Sequence, residues 1–142
     1  MSGAAGYAGG GPVRRFSSGT TWEPTVGYSR AVAAGDFLFV SGCTSVAGAE
    51  FVHQGDAYAQ TAQAISNAAE GLAGLGATLS DVVQTRMYVT DISRWREYGR
   101  AHGEAFGEVR PSTTMVQVAA LIEPEMLVEI EVVAYRPGIG RV

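Results

Sequence analysis

The chain has 142 residues, 46% apolar and 17% charged, with a net charge of −4, a single cysteine and no lysine, all ten basic residues being arginine. That length suits one domain with a sizeable core, and no apolar run approaches the roughly 20 residues that cross a bilayer. The absence of lysine excludes Schiff-base catalysis and a P-loop, and the acidic balance without a basic face argues against a nucleic-acid module.

Residues 1–12, MSGAAGYAGGGP, have almost nothing to bury and are expected to be a flexible tail, leaving 13–142 as the single domain. They lack the basic and apolar regions of a secretory leader, and Cys43 has no disulfide partner within the chain, so a cytoplasmic location is the default. RRFSSGTTWEPTVG then reads as an irregular arm or edge strand anchored by Phe16 and Trp22. Tyr28 to Val32 alternates like a strand, Gly35-Asp36 turns the chain, and Phe37 to Gly42 returns as a hairpin partner that is apolar on both faces. A strand apolar on both sides implies cover on both sides.

Residues 44–55 are loop-like, and Asp56 is the expected N-cap of a helix to about Leu75. Its buried stripe is Thr61, Ala64, Ile65, Ala68, Leu72 and Leu75, with Gly76 as terminator. TRMYVTD reads as a strand with Arg86, Tyr88 and Thr90 on one face. Ser93 is the expected cap of a second helix, with Trp95, Tyr98, His102 and Phe106 at helical spacing and Gly107 at its end.

The last third is read as two strands joined by a loop from Ile122 to Met126. In the second, Val128, Ile130, Val132 and Ala134 form an aliphatic face, and Glu129 and Glu131 stand on the other. In the first, Thr114, Val116 and Val118 are assigned to the aliphatic face and Thr113, Met115 and Gln117 to the face of the carboxylates. The order strand, strand, helix, strand, helix, strand, strand predicts an α+β fold, a mixed sheet with two helices on one face. The other face stays apolar, so identical chains are expected to cover it in a closed ring.

These segments resemble the RidA/YjgF family through GYSRAV, FVSG, DVVQTRMYVTD, RPSTTMVQVAAL and VEIEVVA, from about Gly27 to Ala134. The resemblance implies a chorismate-mutase-like fold, a homotrimer, and clefts between subunits. Such clefts hydrolyse reactive enamines and imines, such as 2-aminoacrylate, to a keto acid and ammonia with no metal or organic cofactor. It makes Tyr28 the cleft tyrosine, Ser41 and Gly42 the strand-end pair, and Glu129 the carboxylate that positions the attacking water. The deaminating members hold the substrate carboxylate with an arginine where this chain has Thr113, and often carry asparagine where it has Gly99. A threonine hydroxyl does not replace a bidentate guanidinium.

The expected ligand contacts are Tyr28, Thr113 and Thr114, with carbonyl or imine polarisation by backbone N–H groups from Ser41 to Cys43. Arg86 and Arg110 are the nearest candidates for the missing guanidinium, an exposed ion pair being the plainer account of either. For Glu131 the plainer account is pairing with an arginine at an interface. Cys43 beside His102 would make a nucleophilic pair, against the plainer readings of a small buried filler and a core or interface histidine. His53 is expected in solvent, and the two histidines lack zinc spacing, so no metal is predicted. The functional expectation is a small-molecule hydrolase of an imine, enamine or related C–N bond. The alternative is a non-catalytic ligand-binding or protein-protecting trimer of the same fold. The ribonuclease activity sometimes ascribed to this family finds no basic groove in the sequence.

Overall fold

The computed structural model describes residues 12–141, so of the expected N-terminal tail only Pro12 falls within it. In chain order the strands are β1 (Val13–Phe16), β2 (Ala31–Ala34), β3 (Phe37–Cys43), β4 (Val46–Ala47), β5 (Glu50–Phe51), β6 (Val82–Val89), β7 (Ser112–Gln117) and β8 (Val128–Tyr135). The helices are α1 (Trp22–Val26), α2 (Ala57–Ala73) and α3 (Trp95–Phe106). Six strands form one sheet in the order β1-β2-β3-β8-β6-β7, antiparallel throughout except for the parallel pair β6-β7, while β4 and β5 make a separate small hairpin.

This order follows from the two long helices. Parallel strands require a crossover, and α2 carries the chain from β3 to β6 just as α3 carries it from β6 to β7. Both crossovers move the same way across the sheet, so the right-handed rule puts both helices on one face. The expected architecture, two helices over one face of a mixed sheet, is the one observed.

The core lies between those helices and the sheet. Leu38, Val40, Met87, Val89, Val128, Ile130, Val132 and Ala134 point into it from the strands, and Ala64, Ile65, Ala68, Leu72, Tyr98 and Phe106 from the helices. The small side chains along α2 let it sit close to the strands. Asp56 caps α2 by accepting a hydrogen bond from Ala59 N at 2.9 Å. The second helix starts differently from expectation, because Asp91, rather than Ser93, accepts from Ser93 N and opens a 3₁₀ turn before Trp95.

Four expectations are corrected. The last two long strands, β7 and β8, do not pair; β6 lies between them, since β8 enters the sheet centre and the α3 crossover places β7 outside β6. The register then puts Thr113 beside Thr85 and Met115 beside Met87 on the helix-covered face, with Thr114 beside Arg86 on the open face. The two faces of this strand are thus the reverse of those read from its alternation. Finally, Trp22 is 46% exposed and anchors nothing, and the strand expected from Tyr28 begins only at Ala31.

The arm is held by Phe16, which packs against the core as expected, and by Glu23, 3% exposed, whose carboxylate accepts from Ser18 N at 3.2 Å, from the Ser18 hydroxyl, and from the Thr20 hydroxyl at 3.1 Å. Burial pushes this carboxyl up, but the hydroxyl and backbone donors outweigh burial and hold it below its ordinary value.

Gln60 plays the same role at the start of β8. Fully buried in α2, it donates to the carbonyls of His53 at 3.2 Å and Glu125 at 3.1 Å and accepts from Leu127 N at 2.9 Å. It thereby ties the loop before β8, and with it Glu129, to the helix. Gln60→Leu leaves Glu125 O and Leu127 N without partners, while the His53 carbonyl keeps Asp56 N, and is expected to lower stability by about 2–4 kcal/mol, read as a lower midpoint in chemical denaturation.

Candidate functional site

The site begins with an irregularity in β3. Val40 pairs with Val132 and Cys43 with Ile130, so three steps along β3 span two along β8, and the backbone bulges at Ser41 and Gly42. Glu129, on the open face of β8, lies against this bulge. A Cβ on Gly42 would sit 1.9 Å from Glu129 Oε2, so the missing side chain is what gives the carboxylate its place. Glu129 is half-buried. Burial pushes its carboxyl above the ordinary value, Arg30 partly offsets the rise, and Glu131 adds to it.

Around the bulge the polar groups are mostly spoken for. The Ser41 hydroxyl donates to Ser29 O at 2.8 Å and Ser41 N donates to Arg30 O at 3.0 Å. Arg30 Nη1 donates to Gly42 O at 2.9 Å and to Cys43 Sγ at 3.2 Å, while Nη2 donates to the Tyr28 hydroxyl at 3.3 Å. Tyr28 also has the Arg30 guanidinium 5.5 Å from its ring centre and borders a shallow depression that the arm walls off. Cys43 is 2% exposed, and burial pushes its thiol up despite Arg30. Its side chain is therefore closed to a ligand, and only its backbone remains as a contact of the kind expected.

The other predicted residues fall into two further groups. On the open face Arg86 is 3.7 Å from Glu131, and the Tyr88 hydroxyl donates to Glu131, whose carboxylate raises the phenol above its ordinary value. Thr114 is the register neighbour of Arg86. Toward the helix side, Thr113 Oγ1 is 2.8 Å from Thr85 Oγ1 and 3.4 Å from His102 Nε2, which itself lies 2.9 Å from Thr85 Oγ1. His102 stacks on Phe106 at 4.7 Å, and burial pushes its imidazole below its ordinary value.

The structure therefore sets Glu129 against Gly42 in the Ser41–Cys43 bulge, ties Tyr28 to that bulge through Arg30, and sets Arg86 near Thr114. It does not bring Thr113 to Glu129, since they occupy opposite faces of the sheet. Nor does it pair Cys43 with His102, because β8 separates the strand of Cys43 from that of His102's partner Thr85. Arg110 is exposed at φ 54°, one residue before Pro111, and faces neither group as a hydrogen-bond partner. Sequence reasoning passed over Arg30; the signal was a lone arginine at the mouth of an otherwise apolar strand, AVAA. Among the described residues no cluster of three or more His, Cys, Asp or Glu could hold a metal ion, and no helix is long and apolar enough to cross a membrane.

Residues 19–136 match the protein family described as Endoribonuclease L-PSP. A solved structure from Mycobacterium tuberculosis, described as a member of the YjgF/YER057c/UK114 family, superposes with a TM-score of 0.79 at 50% identity, covering 87% of this chain and 98% of that one. The chain belongs to the RidA/YjgF family. An uncharacterized protein of Streptomyces coelicolor is 41% identical over 127 residues, 89% of this chain and 95% of its own length. The 3-aminoacrylate deaminase RutC of Acinetobacter baylyi is 32% identical over 116 residues, 81% of this chain and 91% of its own. This RidA/YjgF chain is thus similar in sequence to a relative named as a deaminase, and carries threonine at position 113, where the family resemblance implies an arginine in deaminating members.

Proposed function

We propose that this protein is a small-molecule hydrolase that cleaves a reactive imine or enamine, or a related C–N bond, in clefts between the subunits of a homotrimer. The observation that carries the reading is the Glu129 carboxylate, half-buried across Gly42 with its proton affinity raised, beside a bulge whose peptide groups flank it. Similarity to a relative named as a 3-aminoacrylate deaminase supports the reaction class. A carboxylate in such a place can take a proton from water as the oxygen adds to the imine carbon. It then returns that proton to the nitrogen of the resulting carbinolamine. The hydroxyl proton of the carbinolamine passes through Glu129 to the departing nitrogen as the C–N bond breaks with its electron pair going to nitrogen, and a carbonyl compound and ammonia leave. An enamine enters the same sequence after protonation at carbon gives its imine.

The opposite faces of Thr113 and Glu129 support a shared site only between chains: the edge of one copy, with Thr113 and His102, set against the bulge of the next. The available cations also shape the substrate. Arg86 is paired with Glu131 and Arg30 with the bulge, so the cleft has hydroxyls rather than a free guanidinium, which fits a neutral substrate better than a carboxylate.

Ammonia release from freshly generated 2-aminoacrylate and from uncharged imines tests this directly. Acceleration of the uncharged substrates is expected, and no acceleration of any of them would favour the ligand-binding or protein-protecting trimer. In the same assay Thr113→Arg is expected to raise the preference for carboxylated substrates at least tenfold, the scale of about one charge-assisted contact. Unchanged selectivity in a folded variant would remove Thr113 from the site.

A further inference from the structure

Arg30 is an unusual investment for a chain with ten basic residues. Its stem runs beneath α2, where Gly71 leaves room: a Cβ there would meet Arg30 Cγ at 3.5 Å and Val40 Cγ1 at 3.2 Å. Its head reaches four groups of the site at once, the carbonyl of Gly42 at 2.9 Å, that of Ser41 at 3.5 Å, the Cys43 thiol at 3.2 Å and the Tyr28 hydroxyl at 3.3 Å. Nε is buried without a hydrogen-bond partner among the described residues. A guanidinium placed purely for stability would not leave a buried N–H unsatisfied, because that costs about as much as a hydrogen bond contributes.

Both ionisable groups at the bulge respond to it. Arg30 is the group that works against burial at Glu129 and at Cys43 alike. The other charged or titratable neighbours push the opposite way or face elsewhere. Glu131 lies two residues along β8, Tyr88 sits across from Glu129 on β6, Arg86 is engaged with Glu131, and Glu70 of α2 acts on the Cys43 side. No ion pair within 4.0 Å links Arg30 to Glu129; the bulge lies between them.

We propose that Arg30 is the positioning residue of this site: its guanidinium holds the Ser41–Cys43 bulge by its carbonyls and thiol and is the counter-charge set across that bulge from the Glu129 carboxylate. The inference rests on the reading of Glu129 as the group that handles the water proton. Its role is indirect, since it takes the Gly42 and Ser41 carbonyls and so fixes the bulge against which Glu129 lies, while Ser41 N–H is itself held by the Arg30 carbonyl. Its charge works against the desolvation that pushes the Glu129 carboxyl up.

The test uses the full-length protein with its glutamate side-chain carboxyls labelled with ¹³C, the Glu129 resonance being the one lost in Glu129→Gln. Titration of wild type, Arg30→Gln, Arg30→Met and Arg30→Lys is followed by NMR, alongside the pH profile of imine hydrolysis. Both neutral variants are expected to move the Glu129 midpoint upward and to carry the acid limb of the rate profile up by the same amount. Arg30→Lys, which keeps the charge but not the fork, is expected to hold the midpoint near wild type while lowering the rate through a loosened bulge. The methionine variant preserves the packed stem against Gly71, so it stands in should the glutamine variant fail to fold. If neither neutral variant folds, a folded lysine variant with an unmoved midpoint supports the charge role and a raised one overturns it. An unmoved Glu129 midpoint in a folded neutral variant overturns the inference outright. Because the titration needs no substrate, an inactive protein with a shifted midpoint would instead count against the hydrolase reading and leave the coupling standing.

Discussion

Glu129→Gln is expected to lower imine hydrolysis by about 10²–10⁴-fold, the usual share of a positioned proton-transfer group, while the protein keeps its fold and assembly. Glutamine preserves the shape that fits over Gly42 and removes only the ability to take a proton. In the wild type the rate should fall on the acid side along a limb that lies above the ordinary carboxylate value of 4.5, because burial has raised Glu129. The sign of the stability effect follows from the same shift. Glu129 binds its proton more tightly in the folded chain than in the unfolded one, so its ionisation begins to oppose folding as the pH rises through 4.5 and does so in full above the raised value. At pH 7 the glutamine variant should therefore be at least as stable as the wild type, and that advantage should vanish once the pH is below 4.5. A variant that loses activity together with stability at neutral pH would mark Glu129 as a structural residue. One that keeps activity would remove it from the chemistry altogether.

The sequence was most legible where a pattern is local. The stripe of α2 is the one read from its spacing, Asp56 caps it, and the alternation of β8 divides Val128, Ile130, Val132 and Ala134 from Glu129 and Glu131 as expected. What alternation does not carry is the neighbour of a strand. β7 follows α3 and precedes β8, which in sequence looks like a hairpin, yet the crossover puts it on the far side of β6 and its parallel register reverses which threonine looks toward the helices. The stretch 44–55, read as loop, hides the two-residue strands β4 and β5, too short to show a period. Gln60 and Arg30 escaped because each is a lone polar residue whose main partners are carbonyls brought close only by the fold, and Glu23 because its local hydroxyl donors, Ser18 and Thr20, follow no helical or strand period. Gly42 was legible as a glycine at a strand end, and its need for room became visible only when the Glu129 carboxylate was seen to occupy it.

Placing an aspartate at Phe39 is expected to break the assembly into single chains and to abolish hydrolysis with it. Phe39 is 47% exposed, and around it on the open face stand Phe37 and Tyr135, each 43% exposed and packed edge to face at 5.2 Å. Large aromatic side chains left half in water on one sheet face are a surface waiting for cover, and burying each contributes about 1.5–3 kcal/mol. Bringing the Thr113 edge of one copy to the Glu129 bulge of another sets two different surfaces in contact, and a head-to-tail contact of that kind gives a ring when its rotation closes. Light scattering should accordingly give the wild type a mass of three chains of 14.9 kDa and Phe39→Asp a mass of one, since the new carboxylate would be buried without a partner and beside the charge of Glu131. Phe39→Leu, which keeps the surface apolar, should retain both the ring and the activity. A wild-type protein that stays a single chain at micromolar concentration, or an aspartate variant that dissociates and still turns over an imine, would place the whole site within one subunit and break the link between the bare sheet face and the chemistry.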